Sequence, residues 1–411
     1  MQTSSKPEPA PRERAAWRAL PQGIWALGFG SLFMDMSSEL VHGLLPLFMV
    51  GTLGASVLTL GFIEGVAEAT AAVMKVFSGA LSDYLGKRKA LTVFGYALAA
   101  FSKPLFPLAT SLGWVFAARF VDRVGKGIRG APRDALIADL TPRHLRGAAY
   151  GLRQALDSVG ALLGPLLAVA LMLWLESDVR TVMWFAVVPA FVTVALLVTY
   201  VREPERPLQS GAARVPLALA DARRLPRSYW LVVLVGAVFT LARFSEAFLV
   251  LRAQGVGLEL AYVPVVMVVM NLFFSGAAYP AGAAADRLSQ RNLLLIGLAL
   301  LISADIALAV ASSPLAVFAG AALWGLHMAF TQGLLSKLVA EAVPPALLGT
   351  GFGLFHLASG AALLLASVIA GSLWSSLGPA ATFLAGAAFA TVAAIGLLLA
   401  GARRPFETSG L

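Results

Sequence analysis

Acidic, basic and imidazole side chains stand in this chain where the surrounding sequence is apolar, and their spacing places them on shared helix faces. In FMDMSSELVH, Asp35, Glu39 and His42 fall within about 60° of one another at about 100° per residue. Glu64, Glu68 and Lys75 fall within about 40° by the same count. In RFVDRVGKGIRGAPRD, Arg119, Asp122, Arg123, Lys126, Arg129, Arg133 and Asp134 share an arc of roughly 140°, with Phe120, Val121, Val124 and Ile128 opposite. Arg153 and Asp157 are spaced i, i+4, and Arg243 and Glu246, three apart, are expected to share a face.

Such groups carry protons and bind charge. Burial favours the neutral acid and a neighbouring arginine favours the carboxylate, so a carboxyl that exchanges its basic partner for a substrate takes up or releases a proton. Asp35 and Glu39, then Glu64 and Glu68, are the expected proton-coupling residues. Arg119, Asp122, Arg123, Lys126, Arg129, Arg153, Asp157, Arg243 and Glu246 are expected to meet substrate. A basic face beside acids suits an anionic or zwitterionic small molecule. Asp35, Glu39 and His42 also make an oxygen and nitrogen donor set for a divalent metal, an alternative that the neighbouring Arg and Lys disfavour by repulsion.

The elements that position these groups are membrane spans. The 411 residues are 59% hydrophobic and 13% charged, which is the composition of a polytopic membrane protein. A central Arg, Lys or Asp costs about 2.5–3.5 kcal/mol on insertion scales, so the charged face of the fourth span must look at water or at a partner helix. Apolar runs place twelve spans at roughly 23–50, 56–82, 90–108, 112–137, 148–174, 180–201, 229–250, 261–285, 292–311, 314–337, 350–374 and 378–401. Residues 1–22 and 402–411 are expected as cytoplasmic tails, with no removable signal peptide, and 202–228 as a cytoplasmic linker between six-helix bundles at 23–201 and 229–401.

The net charge of +9 follows from orientation and does not call for nucleic acid. With twelve spans, Lys87, Arg88, Lys89, Arg143, Arg146, Arg202 and Arg403 collect on one side, while the other loops hold little beyond Arg180 and Arg252. The positive-inside rule then places both termini in the cytoplasm of an inner, or plasma, membrane. The chain has no Cys, which excludes disulfides and thiolate metal sites.

The two halves repeat. GALSDYLGKRK from Gly79 is echoed by GAAADRLSQRN from Gly282, and ADLTPRHLRGAAYGL from Ala138 by AEAVPPALLGTGFGL from Ala340, both at an offset of roughly 200 residues. Gly79, Asp83, Gly86 and Arg88 resemble the G-x-x-x-D-x-x-G-x-R loop signature of the major facilitator superfamily, with a degenerate copy around Asp286 and Arg287. Arg123 with Gly127 is similar to the R-x-x-x-G pattern of its proton-coupled members, with Lys126 where Gln is usual. Gly160, Gly164 and Pro165 resemble the G-x-x-x-G-P of its antiporters.

The resemblance covers essentially the whole chain. It implies an all-α fold of twelve transmembrane helices in two pseudo-symmetric six-helix bundles, rocking about a central cavity, with Asp83 and Arg88 making ion pairs that lock one state. The expected function is secondary active transport of a small organic molecule by alternating access, proton-coupled and directed outward as antiport. Import of an anionic nutrient or metal chelate by symport, divalent-metal transport, and a non-transporting receptor are the alternatives. No G-x-x-x-x-G-K-[ST], G-x-S-x-G or H-E-x-x-H occurs, so no enzyme activity and no cofactor is expected. Beyond substrate, protons and the lipid bilayer no partner is called for, and a monomer is expected.

Overall fold

The computed structural model describes residues 19–85, 87–142, 145–203, 219–284, 289–344 and 347–401. Among them there is no strand. The first half supplies α1 (Gln22–Leu47), α2 (Val57–Leu85), α3 (Arg88–Ser102), α4 (Leu105–Leu108), α5 (Leu112–Leu140), α6 (Arg146–Trp174), α7 (Val179–Trp184) and α8 (Val187–Tyr200). The second half supplies α9 (Arg227–Leu241), α10 (Ala247–Gly255), α11 (Val265–Ala284), α12 (Gln290–Val310), α13 (Pro314–Ala342), α14 (Leu348–Leu377) and α15 (Pro379–Gly401). Leu, Ala, Val and Phe fill these segments, and local stops come from identifiable residues. Ser111, Ser289 and Ser313 accept backbone N–H bonds as N-caps, and Lys103-Pro104 separates α3 from α4.

Nine helical segments among the described residues are long and apolar enough to cross a membrane. Three further segments pack into the same bundle but fall short of that measure. These are α1 and α5, which carry the charges singled out above, and the α9–α10 pair, which is interrupted at 242–246. The interruption corrects one expectation: Arg243 and Glu246 do not share a helix face, because the expected span 229–250 is two helices joined by non-helical backbone. Irregular backbone at this depth is tolerated only where protein or a water-filled space covers it.

Packing is repeated between the halves. In the first, α1 packs on α6 and α8, α5 on α2 and α3, and α3 on α8. In the second, α9 packs on α14 and α15, α13 on α11 and α12, and α12 on α15. The halves meet chiefly through α2 against α14 and α6 against α11. Asn271 of α11 donates to the carbonyl of Ala161 in α6 at 3.0 Å. The repeated pairing is what a duplicated six-helix unit produces.

Candidate functional site

The charged face of α5 does not line one open channel. It is shared out among three neighbouring helices. Arg119 closes a two-pronged ion pair on Glu64 of α2, Nε to Oε1 at 3.0 Å and Nη2 to Oε2 at 2.7 Å. One turn on, Asp122 receives Lys103 Nζ at 2.8 Å, and the same ammonium donates to Ser38 of α1 at 3.0 Å. Arg123 reaches Glu68 of α2 at 3.2 Å and lies 3.8 Å from Asp122. Arg129 stacks over the Tyr96 ring at 4.7 Å, and Arg133 pairs with Asp134 at 3.0 Å. Phe120, on the opposite side, is exposed, as a lipid-facing position requires.

Arg119, Asp122 and Arg123 are therefore buried with their charges compensated. A buried ion is tolerable only with such partners, because its desolvation costs several kcal/mol. Lys126 is the exception. It is exposed, and with Lys75 of α2 it enters a cavity of about 440 Å³ between the two halves. Arg243, from the break between α9 and α10, enters the same cavity with His356 of α14. Phe239, Phe355, Leu335 and Leu363 give it an apolar wall, and Thr240, Thr331 and Ser359 supply hydroxyls.

The remaining acids of α1 separate. Asp35 faces Asp157 of α6, close enough for the two carboxyls to act on each other electrostatically. Asp157 is also 3.5 Å from Arg153. Glu39 is 4.0 Å from His42, and His42 is 3.9 Å from Glu64. Glu39 also lies within electrostatic range of Glu246 across the interface between halves. Asp35 is thus turned to α6, while Glu39 and His42 lie side by side toward α2 and the second half. Among the described residues no three His, Asp or Glu side chains are placed to hold a metal ion.

Of the helix-packing residues, Gly160 and Gly164 lie against the backbone of α1 at Leu32 and Met36, and Pro165 is buried beside them. Of the loop signature, Arg88 donates to Asp139 at 2.6 Å, and its backbone N–H to Glu203 at 2.7 Å. Gly86, Asp286 and Arg287 lie outside the described residues, as do the surroundings of Gly79 and the side chain of Asp83.

Three features escape the sequence reading. Lys103 was visible as the one charge in its apolar run, immediately before a proline, but nothing in the sequence names Asp122 as its partner. Asp157 is spaced for Arg153 on its own helix, and only the α1–α6 packing brings it to Asp35. The break at 242–246 has no Pro or Gly to announce it.

The comparisons with known proteins agree on one family. The Major Facilitator Superfamily model matches residues 27–278 and 249–410. An uncharacterized MFS-type transporter of Methanocaldococcus jannaschii is 32% identical over 390 residues, 93% of this chain and 95% of that one. Multidrug resistance protein MdtH of Photorhabdus laumondii is 30% identical over 162 residues, 39% of each chain. The nucleoside transporter NupG superposes with a TM-score of 0.79 at 12% identity, covering 92% of this chain and 99% of that one, a likeness of fold. Family match, helix content and repeated packing together place this chain in the Major Facilitator Superfamily, as a multi-pass membrane transporter and not an enzyme.

Proposed function

We propose that this protein is a proton-coupled secondary transporter that moves a small anionic or zwitterionic organic molecule outward by alternating access. The observation that carries the reading is that two half-buried carboxyls, Asp35 of α1 and Asp157 of α6, face each other among the bases Arg129, Arg133 and Arg153. Two carboxylates set against each other repel, which favours a state in which one of them holds a proton. Loss of that proton sets two negative charges side by side, which the neighbouring bases Arg129, Arg133 and Arg153 must then offset. Substrate that competes for those bases is thereby linked to proton movement.

Outward direction is supported by the partial likeness to a multidrug resistance protein. Three more polar or interrupted segments, α1, α5 and the α9–α10 pair, complete twelve spans in two six-helix bundles at 23–201 and 229–401. Both chain ends then lie on the basic, cytoplasmic side of an inner membrane, and the unit works as a monomer.

The test is transport in proteoliposomes under an imposed pH gradient, with a panel of labelled carboxylates, organic phosphates and amino acids. Gradient-driven movement is expected in the wild type. Asp35→Asn and Asp157→Asn are each expected to abolish its dependence on the gradient while leaving substrate exchange. Undiminished coupling in both variants would sink the proposal.

A further inference from the structure

We infer that the central cavity binds an organic dianion, an apolar body with two negative charges, gripped between Lys75 and Lys126 of one half and Arg243 of the other. The inference deepens the transporter reading of this cavity but does not depend on proton coupling.

The charge balance of the cavity wall points there. The other bases named on α5 and its neighbours have contacts: Arg119 with Glu64, Lys103 with Asp122, Arg123 with Glu68, Arg133 with Asp134. Lys75, Lys126 and Arg243 make no ion pair and no side-chain hydrogen bond among the described residues, although all three line one space. The single carboxylate on that wall, Glu68, is already held by Arg123 at 3.2 Å. Glu246 lies within electrostatic range of Arg243 and Lys126, Glu39 of Lys126, and Asp134 of Lys75, but none of these acids pairs with them or lines the cavity.

Two like charges about 8 Å apart repel by about 2 kcal/mol at an effective dielectric of about 20. Three gathered at one cavity therefore favour an occupant that brings negative charge. Arg243 offers a planar fork suited to carboxylate or phosphate, and the lysines offer compact point charges. Phe239, Phe355, Leu335 and Leu363 supply an apolar wall for the ligand body, and about 440 Å³ is room for a drug-sized molecule. A ligand that touches both halves also interacts differently with states in which the halves separate, as transport demands. A lipophilic cation would instead face three charges of its own sign.

Equilibrium binding to the full-length protein in detergent, read by calorimetry near neutral pH, tests the inference with four probes. These are 1-naphthyl phosphate, naphthalene-2,6-dicarboxylate, naphthalene-2-sulfonate and tetraphenylphosphonium. One or both dianions are expected to bind about tenfold or more tightly than the sulfonate, weakening as salt rises. Whichever dianion leads identifies phosphate or paired carboxylates as the preferred group. Lys126→Gln, Lys75→Gln and Arg243→Gln are each expected to weaken dianion binding about tenfold.

Lys126 is exposed, so its variant folds, and unchanged dianion affinity in Lys126→Gln overturns the inference. So does tetraphenylphosphonium or the sulfonate binding as tightly as the dianions. Dianion binding without any gradient-driven movement would count against the proton reading alone. Gradient-driven movement of other solutes without dianion binding would overturn this inference alone.

Discussion

Glu64 and Arg119 are joined by two parallel hydrogen bonds between α2 and α5, with 1% and 2% of their side chains exposed. Around that pair the wider network is graded. Arg119 also lies 3.9 Å from both Glu68 and Asp122, whereas among the described residues Glu64 has one further partner within 4 Å, His42 at 3.9 Å. The arginine is thus insured against loss of its partner and the glutamate is not.

That asymmetry sets the order of two substitutions. Arg119→Met strands Glu64 and is expected to destabilise by about 3–5 kcal/mol, the range for breaking a buried pair. Glu64→Gln is expected to cost less, because Glu68 and Asp122 still compensate the guanidinium. The double variant should cost less than the sum of the singles. Thermal unfolding of purified protein in detergent, arranged as a double-mutant cycle, measures all three.

Lys103 ties three helices through Asp122 on α5 and Ser38 on α1. Its removal in Lys103→Met leaves Asp122 near Arg119 and Arg123, so a loss of about 1–3 kcal/mol is expected. Asp122→Asn leaves an ammonium that is 1% exposed with neutral acceptors in place of a carboxylate, and should cost more. Unfolding temperatures of the two variants, compared under one condition, decide the order.

Much of the fold is legible because two signals are written in long runs. Apolar segments of membrane length and a duplication at a nearly constant offset specify helices and their pairing without reference to any contact. The site is legible in type but not in partnership. Helical spacing puts Asp122 on one face with Arg119 and Arg123, yet which carboxylate meets which base depends on how α2, α3 and α5 rotate against each other. Asp35 and Glu39 share a face, but the approach of α6 gives Asp157 to the first only. Arg243 is placed in the cavity by a backbone break that no proline or glycine marks, and so a helical wheel mispairs it with Glu246.

Gly160 and Gly164 set how closely α6 approaches α1. A Cβ at Gly164 would lie 2.7 Å from the Met36 carbonyl and 2.8 Å from Glu39 Cβ, and one at Gly160 would meet the Leu32 carbonyl. Backbone cannot yield as a flexible side chain does, so Gly164→Val is expected to destabilise by about 1–3 kcal/mol and to part Asp35 from Asp157. Gly147 and Gly151, on the same helix, have open space at that position. Gly151→Ala should leave stability within about 0.5 kcal/mol. Transport coupling and unfolding temperature should fall together in Gly164→Val and stay together in Gly151→Ala.

Gly61 and Gly371 bear on which face of the transporter opens. Toward the end of α2 that begins at Val57, a Cβ at Gly61 would strike the Ser367 carbonyl of α14, and one at Gly371 would lie 2.8 Å from the Val57 carbonyl. Further along, the two helices stay close where a Cβ at Gly360 would lie 2.9 Å from Ala72 Cβ, beside the cavity that Lys75 and His356 line. Close glycine contacts thus seal the seam between α2 and α14 at the end that begins at Val57. Gly61→Val or Gly371→Val should disfavour that seal and shift the population toward opening at that end, without touching the cavity wall. The chain has no cysteine, so a single cysteine placed at Ala72 on the cavity wall reports access cleanly. Alkylation of that cysteine by a membrane-impermeant maleimide, added from each side of oriented vesicles, should quicken several-fold from the side on which Val57 lies when either valine is present. Equal rates with and without the valines would mean that these contacts do not set the balance between states.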